Sequence, residues 1–191
     1  LLCHQGGVVH YTNGEVLVSD TKYEDPHPFA DVVRALDRFK DSPLVAEPGT
    51  TYAYTTHGYM LLGAVVQRAG KARFAEQVQT RIAKPAGLTT LQPDYQWIDI
   101  PHRAVGYARV LGAPMPSSNT DVSWKLPGGG FVSTVGDLGR FAAALMDDTL
   151  LPAEVRAQMW TRQASADGKV TGYGLGFGVS TVDGQRRVAH T

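Results

Sequence analysis

Three short stretches carry side chains able to move protons or attack a carbonyl. Ser19-Asp20-Thr21-Lys22 is the only Ser-x-x-Lys in the chain. On a helical turn that spacing sets a hydroxyl and an amine on one face, where a desolvated lysine activates the serine. Its surroundings predict a solvated loop instead: residues 15–18 alternate like a strand, and Pro26 and Pro28 break any helix after Lys22. Tyr54-Thr55-Thr56 follows a Pro48-Gly49 turn at an extended-to-helix junction, a place where side chains point into a cleft. A phenol titrates near about 10 in water, and cationic neighbours lower that value so that the phenolate takes a proton. The plain alternative for Tyr54 is a core aromatic beside Tyr52 and Tyr59. His190-Thr191 closes a predicted strand, where an imidazole exchanges protons near neutral pH; alone, it is an ordinary strand-end histidine.

Other chemistries find less support. The six histidines, at 4, 10, 27, 57, 102 and 190, form no H-E-x-x-H or similar pair on one helix face, and no metal is assigned. A single cysteine, Cys3, allows neither an intrachain disulfide nor a Cys pair for zinc or an iron–sulfur cluster. Gly172 to Gly178 lies within a strand pattern rather than between strand and helix, and Gly128-Gly129-Gly130 lacks the Gly-Lys-Ser/Thr ending of a phosphate loop. No cofactor is therefore expected. Eighteen Lys+Arg balance eighteen Asp+Glu with no local basic run, which argues against nucleic acid as a partner. At 43% hydrophobic and 19% charged residues the chain suits a globular protein. The longest apolar run, Met60 to Val66, is broken by Gly63 and is far shorter than the roughly 20 residues of a membrane span.

The elements that must position these groups follow from periodicity and punctuation. Phe29, Val32, Val33, Leu36 and Phe39 predict an amphipathic helix near 28–40. A second helix starts at Gly58 and closes at Gly70 in a left-handed cap, and a third covers about 72–83. Residues 89–127 read as a long irregular connection with two short strands. Ser133 or Thr134 caps a helix through Met146 with Leu138, Phe141, Ala142 and Leu145 as its buried stripe, and Pro152 opens another to Trp160. Tyr173, Leu175, Phe177 and Val179 alternate with glycines, predicting a strand whose bare face something approaches closely. Asp183-Gly184 signals a hairpin. The expected architecture is α+β: a mainly helical domain over 1–160 with long irregular connections, then, over 161–191, the first strands of an antiparallel sheet.

Five segments, in order, resemble the serine β-lactamase-like and penicillin-binding protein family: Leu1 to Gly7, Glu47 to Tyr59, Gly128 to Leu138, Tyr173 to Phe177, and His190-Thr191. Glu47 to Tyr59 and Gly128 to Leu138 are the long and specific ones. The match is nearest to the branch typified by mitochondrial serine β-lactamase-like proteins and their bacterial relatives. The resemblance implies a β-lactamase/transpeptidase-like fold and an enzyme whose Ser-x-x-Lys serine forms an acyl-enzyme that water releases. It makes Tyr54 the general base or acid, sets Thr56 in the place of a substrate-holding asparagine, and makes His190-Thr191 the start of the strand that flanks the substrate.

Departures from the family pattern refine this. Cys3 replaces a serine, Gln5-Gly6-Gly7 replaces Thr-Ser-Gly, and Thr56 lacks the side-chain amide of asparagine. Histidine in place of lysine at 190 weakens a fixed positive charge, moving the expectation from carboxylate-bearing β-lactams towards peptide or ester substrates. The family's Ser-x-x-Lys lies upstream of the Leu-Leu-x-His segment with which this sequence opens, so Ser19 and Lys22 do not inherit its role. The chain is expected to be a piece of a larger serine hydrolase acting on amide or ester bonds, inactive alone. The alternatives are a non-catalytic module that binds peptide and a self-assembling one, whose unpaired sheet edge would drive association. The family's compartments, by resemblance, are the bacterial periplasm, the exterior and the mitochondrion.

Overall fold

A computed structural model describes residues 1–190; the expected substrate contact Thr191 lies outside the described residues. The central element is helix α1, Thr56–Gly70, which begins where extended Thr55 (φ −149°, ψ 122°) accepts the Gly58 N–H on its hydroxyl at 3.1 Å. Met60 and Ala64 form its buried face. A Cβ on Gly63 would lie 2.1 Å from the Pro127 ring, so the glycine admits the 3-10 turn Ser123–Gly128 onto the helix. Lys71, not Gly70, takes the left-handed position at the helix end (φ 53°). The Gln77 side chain occupies the space beside Gly70 and donates to the Val66 and Ala72 carbonyls at 2.9 and 2.8 Å. Helix α2, Phe74–Val78, then widens into a π turn, Gln79–Ala83.

The apolar residues of 28–40 are buried at Val32, Ala35 and Phe39, but not on one α-helix. Two 3-10 turns, Pro28–Ala30 and Arg34–Arg38, stand in its place. Between them Asp31 is extended (ψ 101°), its carboxylate accepting the Val33 N–H at 3.1 Å and the Gln67 amide at 2.5 Å. That side-chain bond competes with the helical ladder and divides it. Val8, Val9, Ala35, Phe39 and Met60 form one core cluster, and Val32, Tyr95 and Leu126 another. Residues 15–18 form no strand: the Leu17 N–H donates to the Ser42 hydroxyl and the Ser19 N–H to the Asp37 carbonyl.

Residues 89–127 hold three short strands rather than two: β1 (Gln92–Pro93), β2 (Tyr107–Val110) and β3 (Ala113–Pro116), the last two forming an exposed hairpin. Strand β4 (Phe131–Val132) pairs antiparallel with β1. Helix α3, Val135–Met146, is capped by the Thr134 hydroxyl. The expected stripe is only half right, for Leu145 is buried while Leu138 is 57% exposed. The inward position belongs to Asp137, fully buried, whose carboxylate accepts the Thr90 N–H and hydroxyl at 2.6 and 2.7 Å. Helix α4 covers Ala153–Met159.

The terminal hairpin pairs β5 (Gly178–Val182) with β6 (Gln185–Ala189) through Asp183 and Gly184, both at positive φ. The strand predicted over 172–179 begins only at Gly178. Before it the chain doubles back, with Tyr173 bridged to Gly178 and the Gly174 N–H on the Phe177 carbonyl. The close approach read from the glycines is present at Gly174, where a Cβ would lie 2.1 Å from the Met159 carbonyl oxygen. The Gly176 N–H donates to the Leu2 carbonyl, tying residues 161–190 to the start of the chain. Among the described residues, no helix is long and apolar enough to cross a membrane.

Candidate active site

Residues 54–57 are held by imidazoles drawn from distant parts of the sequence. The Thr55 N–H donates to His4 Nδ1 at 3.1 Å and the Thr56 N–H to His10 Nδ1 at 3.2 Å. The Val9 carbonyl accepts both the Thr55 hydroxyl at 2.8 Å and His57 Nδ1–H at 3.0 Å. An imidazole nitrogen accepts only when unprotonated, so His4 and His10 work as neutral rings. Burial first, then the neighbouring His190 and His10, bring His4 down to about 4; burial also lowers His10. His4 lies in a box of phenols, with ring centroids 4.3 Å from Tyr54, 5.1 Å from Tyr59 and 4.8 Å from Tyr173. The Tyr59 hydroxyl is fixed on the Leu2 carbonyl at 2.8 Å. Sequence reasoning left His4, His10 and His57 without a role; His4 and His57 carried a signal, each standing in a motif segment, and His10 carried none.

Tyr54 stands on this frame at the edge of a cleft of about 310 Å³. His190, one residue past β6, lines the same cleft, its ring centroid 6.4 Å from that of Tyr54. Tyr52, Tyr173 and Arg187 are among the cleft's other walls. At 39% exposure Tyr54 is no core aromatic. Its phenol is not lowered by a cation: partial burial, then the neighbouring Tyr11, raises it. With these neighbours the phenol is protonated at neutral pH. Thr56 is buried at 5% exposure, its hydroxyl 3.4 Å from the Tyr11 hydroxyl, and is not among the residues lining the cleft. Ser19 and Lys22 lie on non-helical chain, and the Ser19 hydroxyl bonds Thr21 at 2.8 Å, so no hydroxyl–amine pair forms there.

The sequence matches the family model described as "Beta-lactamase" over residues 1–191. The chain belongs to the beta-lactamase family, a family of hydrolases. Human mitochondrial "serine beta-lactamase-like protein LACTB" is 33% identical over 153 residues, covering 70% of this chain. That alignment spans 27% of the human protein. Among solved structures, D-amino acid amidase from Ochrobactrum anthropi SV3, complexed with L-phenylalanine amide, superposes with a TM-score of 0.75 at 19% identity, covering 99% of this chain and 55% of the amidase. The octameric penicillin-binding protein homologue from Pyrococcus abyssi gives 0.73 at 21%, covering 99% and 44%. These likenesses establish the β-lactamase/penicillin-binding fold, with its mixture of helices and small antiparallel sheets.

Proposed function

We propose that this chain carries the tyrosine and histidine walls of a site that cleaves amide or ester bonds through an acyl-enzyme. The observation that supports it is the shared cleft: Tyr54 at the head of α1 and His190 at the end of β6 face one cavity, though 136 positions separate them (190 − 54). In the family pattern the attacking hydroxyl belongs to a Ser-x-x-Lys helix upstream of the Leu-Leu-x-His segment, a role that Ser19 and Lys22, on non-helical chain, do not take. In acylation the serine oxygen bonds to the substrate carbonyl carbon, and its proton passes to the lysine amine. Tyr54 relays a proton to the departing nitrogen or oxygen as the scissile bond breaks; water then releases the acyl group and restores the serine. An amine cation brought beside Tyr54 would lower its phenol from the raised value it has here. His190 and Thr191 flank the substrate, and Thr56 acts through Tyr11 rather than on the substrate directly. The amidase solved with L-phenylalanine amide is consistent with an amide target.

Labelling the full-length protein with a fluorophosphonate and a fluorescent penicillin tests this reading: covalent labelling that fails with Tyr54→Phe supports it, and no labelling by either probe overturns it. A second reading, self-association, is favoured by the apolar surface of α3, where Val135, Leu138 and Met146 are 85, 57 and 64% exposed. Sedimentation of the full-length protein as a monomer rejects it.

A further inference from the structure

At the other end of the Tyr54–His57 segment, a separate pocket of about 440 Å³ opens beside Tyr11 and His57. Its remaining walls are Val16, Val18, Trp124 and two cations, Arg38 and Lys125. The Arg38 guanidinium lies 4.6 Å from the centre of the Trp124 ring and the Lys125 ammonium 6.0 Å from it. Neither cation forms an ion pair among the described residues, whereas Arg34 and Lys40, on either side of Arg38, are paired with Asp25 and Asp37. Two uncompensated cations in a concave, mainly apolar pocket attract an anion at the end of an apolar stem. The link to the candidate site is Tyr11, which lines this pocket and meets Thr56 through its hydroxyl.

We propose that Arg38 and Lys125 form a subsite for a carboxylate carried on the substrate's acyl group, beyond an apolar or aromatic spacer that packs on Trp124, Val16 and Val18. This deepens the acyl-transfer reading and rests on it. It gives the anion a site separate from His190, the position where the family pattern has its lysine: the two pockets share no lining residue.

The test compares monophenyl adipate with phenyl hexanoate, its neutral counterpart, on the full-length protein at low salt. The carboxylate ester is expected to have a kcat/KM about tenfold or more higher. Arg38→Met/Lys125→Met brings that ratio close to one, and Arg34→Met, outside the pocket, leaves it unchanged. Equal rates in the parent protein, or a preference that survives the double substitution, overturn the subsite. If neither ester is cleaved, the acyl-transfer reading fails by itself. The pocket is then judged by tryptophan fluorescence: saturable quenching by monophenyl adipate that the double substitution abolishes supports it, and no quenching rejects it.

Discussion

The His4 imidazole packs 4.3 Å from the Tyr54 ring, centroid to centroid, while its Nδ1 accepts the N–H of the next residue, Thr55, at 3.1 Å. One buried ring thus sets both the plane of the candidate proton carrier and the start of the helix behind it. Both contacts use the neutral imidazole.

This relationship makes stability depend on pH. His4 titrates at about 4 in the folded protein against 6.5 ordinarily, so between those values the unfolded chain binds a proton that the folded chain does not. Stability is complete above 6.5 and falls as pH drops towards 4, by on the order of 3 kcal/mol for His4 alone; lowered His10 adds in the same direction. Urea denaturation of the full-length protein at pH 7.5, 6, 5 and 4.5 should show this decline, and His4→Gln should flatten it. A profile equally steep in the variant refutes the assignment.

Tyr54→Phe removes the phenol and little else, since Tyr54 is 39% exposed. Acylation should slow by ~10²–10⁴ while the unfolding midpoint changes by less than about 0.5 kcal/mol in free energy. Stopped-flow acylation and denaturation measure the two effects separately; an unchanged acylation rate gives the proton transfer to another group.

Thr55 works twice, capping α1 through Gly58 and bonding the Val9 carbonyl. Thr55→Val keeps the shape and loses both bonds, which should cost about 1–2 kcal/mol. Acylation should slow as well, because Tyr54 is the adjacent residue. Full activity with lowered stability would separate the cap from the site.

Gly174 and Gly172 provide a matched pair. A Cβ at 174 meets the Met159 carbonyl oxygen at 2.1 Å, whereas one at 172 meets nothing within 4 Å. Gly174→Ala should destabilise by about 1–3 kcal/mol and Gly172→Ala by much less. Comparable denaturation midpoints for the two variants would contradict the packing described for the tail.

Much of this was legible locally. Asp183-Gly184 predicted its hairpin, Ser133-Thr134 a helix cap that Thr134 provides, and the Pro48-Gly49 turn the junction that carries Tyr54, because each depends on neighbours a few residues away. The misses depend on distant partners. Asp31 divides the helix expected over 28–40 because Gln67, 36 residues on, bonds its carboxylate. Leu138 is exposed because Thr90 draws Asp137 into the inward position of α3. The histidines that hold Thr55 and Thr56 act over separations of 51 and 46 residues, and no spacing rule joins them.

The most direct measurement is a crystal structure of the full-length protein trapped with a fluorophosphonate. The account predicts an adduct on a serine outside residues 1–191, seated in the cleft between Tyr54 and His190, with its oxygen about 2.6–3.2 Å from the Tyr54 hydroxyl. An adduct on Ser19, or one whose serine lies away from Tyr54, would contradict it.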